Sequence, residues 1–128
     1  LAAISLAGRA TVDVRKEEAF LLYAIALESL VLIEGDKEEL KYRLQIRIAH
    51  LLGNTVEGRR ELSSEVGRLY NIRSQIVHSG RFQVTDSDLS LMRSIAKNCI
   101  MRLIIDDTFT TMSSVDDIVL WFSNEILK

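Results

Sequence analysis

Proline is missing from all 128 residues, and glycine occurs only six times. Without proline, no position removes a backbone donor from a helix. The glycines mostly stand where helices should stop: Gly35, Gly53 and Gly80 each close an apolar-periodic run, and Gly58 opens one. The lone cysteine, Cys99, excludes a disulfide within the chain and any cysteine-based metal site. It lies on the apolar stripe of a predicted helix and reads as a buried free thiol, in keeping with a reducing, cytoplasmic setting. Polar residues break every apolar run well short of a membrane span. No basic leader with a cleavage site opens the chain, and Leu1 is not a start methionine, so residues 1–13 read as the stub of a preceding segment and 14–128 as one domain.

What is present is the material of a globular core. Apolar residues make up 48% of the chain and charged residues 27%, enough to bury a core without disulfides or metal. The net charge of −2 argues against a strongly basic nucleic-acid binder, yet it averages over a gradient. Residues 58–81 hold five arginines and two glutamates, net +3, while the flanking stretches are net acidic. A local positive field of this kind attracts phosphate even on a slightly acidic molecule.

Apolar periodicity predicts an all-α fold, an up-and-down bundle of four to five helices. The first spans about 14–34 with Phe20, Ala24, Leu27 and Val31 inward. The second spans about 37–52 with Leu40, Leu44, Ile48 and Leu51. The third spans about 59–79. The fourth runs from N-caps at Asp86, Ser87 or Asp88 to about Met112, with Met92, Ile95, Cys99 and Leu103 inward. A last helix, capped by Ser113 and Ser114, ends near Leu127 and carries Val115, Ile118, Val119, Phe122 and Ile126.

Three charged residues interrupt these stripes: Glu28, Arg47 and Arg73. A charge on a core face is costly unless paired. Glu28 therefore pairs with Arg47 or with Arg73, and Glu28–Arg47 is read as a structural ion pair that fixes helix packing. Arg73 can also carry its guanidinium to an edge of the stripe. The third helix has a second face, on which Gly67, Asn71, Ser74 and His78 recur at helical spacing. Glycine within a helix costs about 1 kcal/mol relative to alanine, so its presence points to a close approach there. That small, polar stripe is the best site or interface candidate in the chain.

Arg73 and His78, separated by four residues, gain their meaning from context, because Arg43 and His50 form a similar pair by chance on the second helix. His50 reads as an ordinary helix-face histidine. The run Tyr70-Asn71-Ile72-Arg73-Ser74-Gln75-Ile76-Val77-His78-Ser79-Gly80 resembles the signature helix of HEPN domains, in particular the Apea-like branch. Residues 26–30 and 47–52 resemble the helices that precede it there, so the likeness covers about residues 14–105. It implies a metal-independent endoribonuclease, needing no cofactor, whose two Arg–His motifs meet across a homodimer. Arg73 and His78 would be catalytic, with Ser74, Asn71, Tyr70 and Gly67 binding or positioning substrate. Many active members carry asparagine or aspartate where Ser74 stands. The resemblance also implies RNA or a nucleotide as ligand, a role in defence or toxin systems, and an antitoxin or a preceding regulatory domain as a further partner. The family's non-catalytic members supply the alternative, a helical module that binds RNA, nucleotide or a protein.

The chemistry suits these residues. Cleavage of RNA through its own 2′-hydroxyl needs a base, an acid for the leaving oxygen and a cation for the crowded phosphate. Histidine moves protons near neutral pH, and arginine offers planar, permanently charged donors to phosphate oxygens. Five residues along a helix turn through about 500°, so the two side chains diverge by roughly 140°. A second copy, or a distorted helix end, is needed to bring them together. A purely structural role is the remaining possibility: Arg73 in an internal ion pair, and His78 as a cation at the helix end. The acid pairs Asp106-Asp107 and Asp116-Asp117 read as solvated faces and first-turn acids.

Overall fold

The computed structural model describes residues 2–10, 15–32, 39–80 and 83–105, and among them the only regular elements are helices. They are α1 (Ala2–Ala10), α2 (Lys16–Val31), α3 (Leu40–Leu52), α4 (Val56–Ser79) and α5 (Asp86–Ile105). Together they form an all-α helical bundle. The described part holds no helix long and apolar enough to cross a membrane. The predicted last helix and both acid pairs lie outside the described residues.

Local chemistry sets the helix ends. Thr55 caps α4, its Oγ1 accepting the Gly58 N–H at 2.9 Å. The helix therefore begins at Val56, three residues before the predicted start: the cap outweighs the low propensity of Gly58. Thr85 caps α5 in the same way, accepting the Asp88 N–H at 3.1 Å, so Asp86 opens the helix instead of capping it. Glu39 has left-handed backbone angles (φ 54°, ψ 37°) immediately before Leu40, where α3 begins. At the far end of α4, Gly80 (φ 67°) donates its N–H to the Ile76 carbonyl at 2.8 Å, closing the helix on an αL residue.

The core joins faces of α2, α3, α4 and α5. Phe20, Ala24, Leu27 and Val31 from α2 meet Leu44, Ile48 and Leu51 from α3, Val66, Leu69, Ile72 and Ile76 from α4, and Met92, Ile95 and Cys99 from α5. The α2 residues, with Leu44, Ile48, Leu51, Met92, Ile95 and Cys99, are ones the periodicity assigns inward, whereas Leu40 and Leu103, also expected inward, are only half-buried. Phe20, Ile48 and Leu69 are fully enclosed. α1, which the periodicity left unassigned, packs on α2 and α5 and buries Ala3. Nine residues with one glycine and one arginine carry too little pattern to announce a helix.

α3 and α4 form an antiparallel hairpin. Gln45 Nε2 donates to the Ser63 carbonyl at 2.9 Å, and Arg59 Nε to the Gly53 carbonyl at 3.1 Å. α2 and α5 run in the same direction where they touch: Lys16 and Asp86, in their first turns, are 2.6 Å apart, and Tyr23 lies beside Arg93 two turns on. Arg68 ties α4 to α5, reaching Asp88 at 2.6 Å and Glu65 at 2.8 Å.

Cys99 is fully buried, and burial pushes its thiol up to about 12. The thiolate is the reactive form, so the native protein should resist a disulfide-exchange reagent at pH 8 and react fully once unfolded in urea. Fast labelling of the native protein would contradict this. The raised value also has a sign for stability. The contribution of the protonated thiol is intact below the unfolded pKa, about 8.5, and is lost as pH climbs from there toward 12.

Candidate functional site

α4 carries Tyr70 through Ser79, with Gly80 as its C-cap, and its regular geometry decides how these residues are distributed. The helix stays α-helical through Ser79. No distortion of its last turn swings His78 toward Arg73, and the divergence of roughly 140° stands. Within one chain the two side chains occupy different faces: Arg73 is half-buried, and His78 is exposed in the final turn.

Arg73 meets Glu28 of α2. Its Nη2 donates to Glu28 Oε2 at 3.3 Å, and its Nε stands 3.0 Å from Oε1. The Nε hydrogen does not point along that line, so the second contact is electrostatic rather than a hydrogen bond. The side chains keep 26% and 19% of their surface exposed, which places the pair at the edge of the core. The guanidinium carbon also stands 5.7 Å from the centre of the Tyr70 ring, within cation–π range. Tyr70, half-buried, thus flanks Arg73 one turn back along α4.

Glu28 therefore takes Arg73, not Arg47, as its partner. Arg47 Nη1 donates to the Val31 carbonyl at 3.0 Å, in the last turn of α2. Both arginines serve α2, one through a carboxylate and one through a helix-end carbonyl that has no partner within its own helix. Spacing alone could not separate these choices, because Arg47 and Arg73 both project toward α2 from neighbouring helices.

The small polar stripe divides in two. Gly67 is buried by α3: a Cβ there would stand 2.5 Å from Gln45 Nε2, 3.1 Å from Gln45 Cδ and 3.5 Å from Lys41 Cε. The glycine makes room for the Gln45 side chain that reaches Ser63, so its reason is helix–helix contact rather than a ligand. Beyond it, Asn71 and His78 are exposed and Ser74 is half-buried. Gly67→Ala gains about 1 kcal/mol of helix propensity and displaces a flexible amide whose hydrogen bond contributes about as much. Its denaturant midpoint should stay within about 1 kcal/mol of wild type. A much larger loss would mean that Gln45 cannot move aside.

A signal the site reading missed lies on the hairpin. His50, exposed Arg60 and half-buried Arg59 line a groove of about 550 Å³ between α3 and α4, together with Gln45, Ser63 and Ser64. The arginines were legible as part of the net +3 block, but only the antiparallel hairpin sets them across from His50. Among the described residues, no group of histidine, cysteine and carboxylate side chains is arranged to hold a metal ion.

No family model, no curated protein and no solved structure matches the chain.

Proposed function

We propose that this protein is a HEPN-like endoribonuclease acting as a two-fold dimer, with Arg73 holding the scissile phosphate and His78 moving protons. The observation that carries the reading is the posture of Arg73. Glu28 fixes its Nε–Nη2 edge at the rim of the core, Tyr70 flanks it, and a quarter of the side chain stays in solvent. That exposure lowers the desolvation cost of the ion pair and also leaves part of the guanidinium open to a phosphate.

In this mechanism a histidine takes the proton of the 2′-hydroxyl as that oxygen attacks phosphorus. The bond to the 5′-oxygen breaks, and a protonated histidine returns a proton to the leaving oxygen. The products are a 2′,3′-cyclic phosphate and a 5′-hydroxyl. Two copies of His78, one from each subunit, supply the base and the acid, and the arginines stabilise the charge on the phosphorane. Ser74 and Asn71, beside His78 on α4, orient the strand. The divergence of Arg73 and His78 within one chain makes the dimer a requirement of the mechanism.

The test is labelled single-stranded RNA incubated with the protein in EDTA, with the mass in solution measured alongside. Cleavage by a dimer, ending in cyclic phosphate, supports the proposal. A strict monomer at high concentration, or no cleavage, overturns it.

A second reading draws on the same ion pair. The Glu28 carboxylate already occupies one edge of the Arg73 guanidinium, and Ser74 reaches less far than asparagine or aspartate. A module that binds RNA or nucleotide through Arg73 without turnover fits both features. RNA binding lost in Arg73→Ala, with no product formed by wild type, selects it.

A further inference from the structure

The geometry points to the α3–α4 groove as a second contact for the RNA backbone, an anchoring subsite that holds the strand while its scissile phosphate lies at the far end of α4. This rests on the ribonuclease reading above and adds to it where the strand runs. His50, Arg59 and Arg60 surround the groove, Ser63 and Ser64 add hydroxyls, and no carboxylate lines it among the described residues. Ile46, Ala49 and Val56 give it an apolar floor, and Val56 is widely exposed although large and apolar. The two arginines and the neighbouring hydroxyls match the phosphates of a nucleotide strand.

The helix geometry links this groove to His78. Arg60 and His78 are eighteen residues apart, five full turns, so they lie on one line along α4 about 27 Å apart. Both are exposed. Ser64 and Asn71 lie close to that line between them, and they offer neutral hydrogen-bonding groups. Glu57 and Glu61 stand roughly 60° and 100° round the helix from it. A single strand following this line meets Arg60 at one end, crosses the Gln45 and Lys41 side chains of α3 where they cover Gly67, and reaches the histidine at the other. An acidic peptide would use the same cations, but it has no use for a line that ends on His78 at the other end of the helix.

Arg60 is the residue to change, because Arg59 also holds the Gly53 carbonyl at the hairpin turn. Fluorescence anisotropy with a labelled uridine oligonucleotide, titrated at several salt concentrations, reads both affinity and the number of phosphates neutralised. Arg60→Gln should weaken binding several-fold at low salt and lower the salt slope by about one. Lys97→Gln, on exposed α5 surface, should change neither. Wild-type affinity and slope in Arg60→Gln, with RNA still bound and cleaved, overturn the groove and leave the ribonuclease reading standing. Failure of wild type to bind RNA at all overturns both. Binding of polyglutamate at this groove in place of RNA assigns it to an acidic protein partner and overturns the proposal.

Discussion

Replacing His78 by alanine is expected to slow the proposed RNA cleavage by at least about 10²–10⁴-fold, the usual contribution of one positioned proton-transfer group, without moving the unfolding transition. In the dimer the change removes both base and acid. The imidazole is exposed in the last turn of α4, so its removal opens no cavity. Arg73→Ala should show a different pattern. It loses cleavage and stability together, because the same guanidinium pairs with Glu28 and lies by Tyr70. Arg73→Lys keeps the charge but not the planar fork, so it should restore little of the rate. The rates come from single-turnover cleavage of labelled RNA, with the folded state followed by circular dichroism on the same preparations. Cleavage unchanged in His78→Ala removes the histidine from the mechanism and leaves α4 as a binding or structural element.

Glu28→Ala is expected to cost about 2 kcal/mol of stability. A fully buried pair that loses one partner costs about 3–5 kcal/mol. Here the side chains remain 19% and 26% exposed, so water compensates part of the loss. Glu28→Gln should cost less, since the amide oxygen still accepts from Nη2. Removing Arg73 as well should recover part of the loss, giving a coupling of about 1 kcal/mol between the two positions. Urea midpoints of the two single variants and the double variant measure this directly. Additive effects would show that Glu28 and Arg73 contribute independently and that solvent already screens the pair. The same variant bears on function. With its carboxylate partner gone, Arg73 no longer holds a fixed orientation at the rim, and cleavage should fall even though no reacting group has been touched.

Glu28 and Gly67 show how far pattern reading reaches. The interruption of an apolar stripe by Glu28 announced an internal ion pair from the sequence alone, because a core-facing carboxylate requires a cation. Which cation was not legible. Arg47 and Arg73 have equal charge and similar reach, and the choice depends on where α3 and α4 cross α2. Gly67 was equally visible as a helix glycine needing a reason. The reason is the Gln45 side chain crossing from α3, a contact set by the register of the hairpin and not by any feature of α4 itself. The basic block on residues 58–81 was legible as charge, but its partition into an ion pair with Glu28, a bridge to Asp88 and a groove opposite His50 was not.

The sequence by itself determined α2 to α5 and most of their inward faces, because apolar periodicity is a local property that each segment writes without reference to the others. It also determined the separation of Arg73 and His78, since five residues on any regular α-helix diverge by the same angle. Tertiary structure alone decided that α1 joins the bundle, that Glu28 holds Arg73 at the rim of the core, and that Arg60 faces a groove opposite His50. These are relations between segments distant in the chain, and they depend on register and crossing, for which local hydrophobic patterning carries no information.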